Sequence, residues 1–186
     1  MVKLDIFQKA FVILLIIIAI IRIYYGKHKL TTRYKKSFHP IINAYLIGFG
    51  MIYFPLLDIY FSLFNTFKFE VPYFIKIISI IILFLDTIIF YLSHKELSDN
   101  CSPFVEIKEK QKLIKTGIYQ YIRHPMYLSM WIFALFQGLV LSNYFIEIFG
   151  IITWAYLYFF RIANEEKIMI DTFGKEYEEY IESFQN

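Results

Sequence analysis

The sequence predicts an all-α fold, an integral membrane helical bundle of about five transmembrane helices that ends in a C-terminal amphipathic cytoplasmic helix. The 186 residues are 58% hydrophobic and 21% aromatic, which leaves too few polar side chains to cover a water-soluble domain. The apolar residues form runs of about 17–25 residues, the length that a helix needs to cross a bilayer. Lys and Arg gather between these runs, which is typical of membrane orientation and makes nucleic-acid binding a poor explanation for the net charge of +3.

The apolar runs define the predicted helices in chain order. Runs this long must be helical, because lipid offers no partner to unpaired backbone N–H and C=O groups. No small-residue cleavage site follows the first run, so we expect a retained helix rather than a signal peptide. The last two runs are separated only by Ser142, Asn143 and Tyr144, which predicts a tight antiparallel hairpin. The predicted spans are Ile6–Tyr25, Ile41–Phe64, Tyr73–Ser93, Pro125–Leu141 and Phe145–Ala163.

The chain beyond Glu166 is predicted to form the amphipathic helix. Its apolar residues recur at steps of three and four, opposite a charged face, and Gly174 should interrupt or kink it. No internal repeat or low-complexity linker divides the chain, so we expect a single membrane domain over residues 1–186. Residues 1–93 would hold three transmembrane helices, and residues 94–186 a loop, the hairpin and the C-terminal helix. The apolar stripe consists of Met169, Phe173, Tyr177, Tyr180 and Phe184.

The positions of Lys and Arg predict the orientation of the bundle. The loops after the first and third helices carry most of these residues, so both should be cytoplasmic, with the N-terminus outside and the C-terminus inside. The polar segments Lys95–His124 and Asn164–Asn186 then lie on one side. Because the hairpin places the start of the fourth helix beside the end of the fifth, two polar clusters distant in sequence should meet at the cytoplasmic membrane face.

Four motifs follow one another between residues 94 and 182. They are Lys112-Leu113-Ile114-Lys115-Thr116-Gly117-Ile118-Tyr119, Arg123-His124-Pro125-Met126-Tyr127, Glu165-Glu166 and Phe173-Gly174-Lys175-Glu176-Tyr177-Glu178-Glu179-Tyr180. This combination resembles the C-terminal signature of the isoprenylcysteine carboxyl methyltransferase and phospholipid methyltransferase family, integral membrane enzymes that use S-adenosylmethionine. The N-terminal half carries no such motif.

The resemblance implies methyl transfer from S-adenosylmethionine to a lipid-like acceptor, such as the carboxylate of a prenylated cysteine, and no metal. It implies that Arg161 binds the acceptor. Arg161 and Glu165 are the predicted catalytic residues. The residues that it implies around the cofactor are Gln111, Lys112, Leu113, Ile114, Tyr119, His124, Pro125, Met126, Tyr127 and Glu165. Family members often have His in place of Gln111, Pro in place of Ile118 and, in many microbial members, Trp in place of Cys101, here expected to be an ordinary loop residue.

The residue types fit this chemistry. The cofactor combines a sulfonium, an ammonium, a carboxylate and an adenine, so its site needs mixed charge and apolar walls, which Glu165, His124, Tyr119 and Tyr127 can supply. Arg161 and Glu165 are four residues apart and share a helical face. The N–H groups at the helix start near His124 favour the cofactor carboxylate. Transfer to an anionic acceptor cancels charge, so a dry site favours the reaction and in-line placement of the two groups supplies most of the remaining rate increase.

Other interpretations stay open. A phospholipid amine acceptor would have to lose a proton, which Glu165, Glu166 or His124 could take. A nicotinamide-dependent reductase of the sterol-reductase type has a similar C-terminal region. A non-enzymatic bundle would use Asp58 and Asp86 as pathway residues, since ionisable groups inside apolar runs are costly. We expect Asp58 to be interfacial and Asp86 to face another helix.

Overall fold

The structure is a computed structural model that describes residues 4–26, 45–97 and 113–184. Within these ranges the chain is helical and contains no β-strand, which confirms the all-α prediction. Single 3₁₀ turns lie at Asn65–Phe67 and Gly117–Gln120. The helices are α1 (Ile6–Gly26), α2 (Tyr45–Phe61), α3 (Tyr73–Leu97), α4 (Pro125–Leu141), α5 (Tyr144–Phe173) and α6 (Lys175–Glu182).

Helices α1, α3 and α5 are long and apolar enough to cross a membrane, and α2 and α4 are shorter apolar helices. Large apolar side chains cover the outer face of the bundle, among them Ile13, Ile20 and Phe84, each more than half exposed. A surface this apolar would be unfavourable in water and is favourable against lipid tails. The protein is therefore an all-α membrane helical bundle.

Some predicted helix ends differ from the observed ones. The fourth span, Pro125–Leu141, was predicted correctly. The fifth was wrong at its end, because α5 continues past Ala163 for ten residues until Gly174, whose φ of +52° ends it. The second helix ends at Phe61 instead of Phe64, since Ser62 turns left-handed with φ +54°. The predicted start of that helix, Ile41, lies outside the described residues.

The core lies where four helices meet. Phe11 of α1, Leu83 of α3, Ala134 of α4 and Leu157 of α5 are fully buried and belong to one apolar cluster. Helix α2 joins them through a wide π-turn at Phe49–Tyr53. There the side-chain amide of Gln137 donates to the carbonyl of Gly50 at 3.1 Å, which satisfies a carbonyl that the wide turn exposes.

The predicted hairpin between α4 and α5 is confirmed, with Ser142 and Asn143 as its connection. Asn143 is fully buried, and its side-chain oxygen accepts from the N–H groups of Phe145 at 3.1 Å and Ile146 at 3.4 Å, which caps α5. Its amide donates to the carbonyl of Phe64 at 3.0 Å. One side chain thus ties the segment after α2 to the hairpin.

We expect Asn143→Ala to lower the free energy of unfolding by about 1–3 kcal/mol, because it leaves buried backbone groups without partners. Thermal unfolding in detergent micelles measures the effect. The matched control is Asn164→Ala, since Asn164 is exposed and, among the described residues, its amide donates only to the carbonyl of Phe160 in its own helix. That variant should stay within about 0.5 kcal/mol of the parent protein. Equal losses in both variants would contradict the capping role.

The two aspartates of the apolar runs are both buried. Asp58 is 2% exposed and accepts from the N–H of Phe64 at 3.1 Å, close to the end of α2. Its location at the membrane interface stays a prediction. Asp58 closes the turn after α2, where the chain needs an acceptor. Asp86 is 1% exposed and faces Ser129 of α4, as predicted for a residue that faces another helix.

Candidate functional site

The segment that precedes α4 is shaped by a glycine and a proline. Gly117 has a φ of +60° and begins the turn Gly117–Gln120. This left-handed conformation favours glycine, and a side chain at this position would also require the flexible Glu96 side chain at the end of α3 to move. Pro125 opens α4, where its missing N–H would have no partner in any case. These two residues place Tyr119 and His124 beside the ends of α3 and α5.

An ion cluster joins the start of α4 to α5. One oxygen of the Glu166 carboxylate accepts from Arg123 Nη2 at 2.6 Å and from His124 Nε2 at 3.1 Å. All three side chains are less than a third exposed. The prediction that two sequence-distant polar clusters meet at one end of the bundle is therefore confirmed. We call this end, defined by Arg123, His124 and Glu166, the site end.

A second ion pair lies on α5 alone. Arg161 Nη2 donates to Glu165 Oε1 at 3.1 Å, and the arginine side chain is 13% exposed. The shared helical face of these two residues was predicted from their spacing. The Arg161 guanidinium also lies 6.0 Å from the centre of the Tyr127 ring, a distance at which a cation and an aromatic ring attract each other.

Tyr127 lies between the two ion pairs. Its ring is stacked with that of His124 at 5.5 Å and nearly parallel, with an interplanar angle of 13°. Trp154 and Tyr158 of α5 meet it edge-on at 5.6 and 5.9 Å. Within the described ranges the Tyr127 hydroxyl has electrostatic interactions with Arg161 and Glu165 but reaches no hydrogen-bond geometry. An aromatic wall thus connects the acidic and basic groups.

Helix α6 clamps the segment that leads into α4, and Gly174 separates it from α5, as predicted. The Tyr180 hydroxyl donates to the Tyr119 carbonyl at 2.5 Å, and Lys115 pairs with Glu176 at 2.8 Å. Burial raises the pKa of Tyr180 to about 12, so this hydroxyl keeps its proton and remains a donor at neutral pH. The amphipathic pattern predicted helix α6. The spacing of its residues could not show that α6 packs against the segment before α4.

We expect Tyr180→Phe to lower the free energy of unfolding by about 1 kcal/mol, the net value of one hydrogen bond. In the parent protein, stability should also fall as the pH rises from about 10 to about 12. The unfolded phenol loses its proton near 10, whereas the folded one keeps it up to about 12. Urea titrations at several pH values measure this dependence, which Tyr180→Phe should weaken. Tyr121→Phe is the control, because Tyr121 is 74% exposed, and an equal effect there would refute the clamp.

A third polar contact, which the sequence reasoning missed, links α1, α3 and α4. Arg22 Nη1 donates to His94 Nε2 at 3.0 Å and lies 4.0 Å from the sulfur of Met126. The His94 ring is fully buried, and its Nδ1 donates to the carbonyl of Phe90 at 2.9 Å, which fixes the tautomer. The signal in the sequence was an arginine and a histidine at the ends of apolar runs.

The other predicted cofactor residues are distributed along the same segment. Leu113 and Ile114 are half-buried in the segment before the turn, and Pro125 is buried at the start of α4. The sulfur of Met126 contacts Arg22 of α1 at 4.0 Å. Gln111, Lys112 and Cys101 lie outside the described residues.

Comparison with known families gives a match over the same part of the chain. A family model described as phospholipid methyltransferase matches residues 74–176, which is more than half of the 186 residues. The match begins at the start of α3 and ends in α6, so it includes both ion pairs.

Individual relatives match over a shorter stretch. The chain is 40% identical over 80 residues to a protein-S-isoprenylcysteine O-methyltransferase of Dictyostelium discoideum, a stretch that covers 42% of this chain and 33% of the relative. A protein of the same name from Schizosaccharomyces pombe is 36% identical over 69 residues, 37% of this chain and 29% of the relative. The one from Saccharomyces cerevisiae is 41% identical over 69 residues, 37% and 28%. The chain therefore matches about a third of the length of these curated relatives.

Proposed function

Because this chain belongs to the phospholipid methyltransferase family, we propose that it is an integral membrane methyltransferase that uses S-adenosylmethionine. The observation that carries the proposal is the convergence at the site end. There Arg123 and His124 meet Glu166, and Arg161 pairs with Glu165 one turn away. These residues belong to the segment over which the family model matches.

The residues at the site end fit the cofactor. S-adenosylmethionine supplies an electrophilic methyl group on a positively charged sulfur. The carboxylates of Glu165 and Glu166 suit its sulfonium and ammonium groups, and Arg123 and His124 suit its carboxylate. The stacked rings of His124 and Tyr127 offer an apolar wall that also stabilises a nearby cation. We propose that Tyr119, Leu113, Ile114, Pro125, Met126, Gln111 and Lys112 also bind the cofactor.

Arg161 is the proposed binding residue for the methyl acceptor. Its Nε is buried and forms no hydrogen bond with any described residue, while one Nη is held by Glu165. A guanidinium with an unused edge binds a carboxylate through two parallel hydrogen bonds. A carboxylate acceptor needs no proton removed, so Arg161 only has to bind and orient it. The names of the relatives support a prenylated cysteine as the acceptor.

A phospholipid amine is the second candidate acceptor, and the description of the matching family model favours it. An amine must be neutral to attack, so the enzyme would have to accept a proton. Glu165, Glu166 and His124 are the groups at the site end that can do so. The chemical nature of the methylated product therefore separates the two candidates.

We also infer that the site end faces the cytoplasm, with the N-terminus outside. The basic residues of the loops that follow α1 and α3 support this orientation through the positive-inside rule. S-adenosylmethionine would enter from the aqueous side and a lipid-like acceptor from the bilayer. Cysteine labelling of introduced residues at the two ends in intact vesicles measures this orientation.

The test uses the full chain in lipid vesicles with S-adenosylmethionine radiolabelled in its methyl group. We expect label in N-acetyl-S-farnesylcysteine as an ester that releases methanol in alkali. Alkali-stable label in phosphatidylethanolamine would support the second candidate. Absence of saturable S-adenosylmethionine binding by calorimetry rejects both. Thermal stabilisation by NADPH in its place would support a reductase.

A further inference from the structure

Three buried polar atoms without partners surround the Tyr127 ring. In the described ranges, Trp154 Nε1, Arg161 Nε and the Tyr127 hydroxyl are inaccessible and form no hydrogen bond. A buried donor without a partner is costly, so native proteins contain few of them. Arg161 and Tyr127 belong to the site already proposed. Trp154, which is 2% exposed, has no role there.

The position of Trp154 connects it to the acceptor residue. Trp154, Tyr158, Arg161 and Glu165 follow each other on α5 at helical steps of four, three and four, so they share one face. The indole ring lies 5.6 Å from the Tyr127 ring, and the Arg161 guanidinium lies 6.0 Å from the same ring. Trp154 lies seven residues before Arg161, which places it about 10 Å farther than Arg161 from the site end, at about 1.5 Å per residue. It is therefore deeper in the bundle than Arg161.

We propose that Trp154 is a specificity-determining residue whose indole N–H donates a hydrogen bond to the methyl acceptor, at an atom deeper than the group held by Arg161. This inference rests on the proposed function. An indole N–H can only donate, so it selects an atom with lone pairs at that depth. A prenylated cysteine offers its thioether sulfur or its amide oxygen there, and a phospholipid offers an ester carbonyl.

The first test compares two tryptophan variants of the full chain in vesicles. Trp154→Phe keeps an aromatic ring against Tyr127 and removes the donor together with part of the ring volume, a loss of volume that Trp131→Phe shares. We expect about a tenfold rise in the KM for N-acetyl-S-farnesylcysteine, the size expected for one lost hydrogen bond, with an unchanged Kd for S-adenosylmethionine. The matched control is Trp131→Phe, because Trp131 is half-buried and packs edge-on against Tyr158 at 5.7 Å. Its KM should not change.

The second test observes the indole directly. The chain has two tryptophans, so Trp131→Phe leaves Trp154 as the sole emitter. N-acetyl-S-farnesylcysteine should change its fluorescence saturably, with half-saturation near the KM, and farnesol, which lacks the cysteine, should not. Phosphatidylethanolamine in the same titration distinguishes the two acceptor sources.

The possible failures are distinguishable. If the unmodified enzyme methylates neither acceptor, the proposed function fails and the inference fails with it. If the enzyme is active and the KM of Trp154→Phe equals that of Trp131→Phe, only the inference is overturned. Loss of S-adenosylmethionine binding in Trp154→Phe, or no fluorescence response of Trp154 to the acceptor, overturns it as well.

Discussion

Arg161→Ala is expected to reduce kcat/KM for a carboxylate acceptor by at least about 100-fold, while the Kd for S-adenosylmethionine changes by less than about threefold. Truncation of one partner of a buried, hydrogen-bonded charge pair costs about 2–5 kcal/mol, and about 2.7 kcal/mol corresponds to 100-fold. Arg161 is 13% exposed and its ion pair lies within α5, whereas Glu166 holds Arg123 and His124 at the start of α4. Loss of Arg161 should therefore remove acceptor binding and leave that ion cluster in place. Initial rates with radiolabelled donor and calorimetry of donor binding measure the two quantities.

Two further variants sharpen this prediction. Arg161→Lys keeps the charge but loses the planar fork, so most of the activity should still be lost. Arg123→Ala removes the arginine that pairs with Glu166 and should do the opposite, weakening donor binding more than acceptor binding. If Arg161→Ala instead abolished donor binding, Arg161 would belong to the cofactor site and another residue would have to hold the acceptor.

Glu166→Gln is expected to raise the Kd for S-adenosylmethionine by about tenfold to 100-fold and to lower the unfolding midpoint by several degrees. Its carboxylate holds both Arg123 and His124, so the neutral amide leaves two half-buried groups without their charged partner. Each hydrogen bond to a charged group contributes about 1.5–3 kcal/mol. Calorimetry and a thermal-shift assay in the same detergent measure both effects.

The control for this variant is Glu176→Gln. Glu176 also pairs with a cation, Lys115 at 2.8 Å, but both side chains are more than 40% exposed. Exposed ion pairs contribute little, so its unfolding midpoint should hardly move. A Glu166→Gln protein that binds the donor as tightly as Glu176→Gln would show that the ion cluster is a structural cap and not a part of the cofactor site.

Most of the fold could be predicted because single physical constraints decide it. Bilayer thickness sets the minimum length of the apolar runs in α1 and α3, and Pro125 and Ser142 mark the ends of the shorter α4. The end of α5 was missed because hydropathy falls after Ala163 while the residues that follow are still compatible with a helix. Only Gly174 stops it. The apolar content of a sequence indicates where a helix leaves the lipid. It does not indicate where the helix itself ends.

The sequence could predict which segments of the chain meet at the site. It could not predict which side chains contact each other across these segments. Hairpin topology alone brings the start of α4 to α5, and spacing alone pairs Arg161 with Glu165. The choice of Glu166 over Glu165 as the partner of His124 depends on the rotation of α5, which one sequence does not encode in any local pattern. The contact of Arg22 with His94 joins residues 72 positions apart and was missed for the same reason.

The length of α5 has a consequence for how the protein can change over evolutionary time. One unbroken rod of 30 residues carries Trp154, Arg161 and Glu166, so the angles between these side chains are set by the helical repeat itself. A single inserted or deleted residue within this stretch would turn everything beyond it by about 100° and aim Glu166 at lipid or solvent. A site built on loops tolerates such changes in length. In this part of the chain, tolerated insertions should be confined to positions after Phe173, where α5 ends. Divergence in acceptor preference must therefore proceed by exchange of side chains on a rod of constant length.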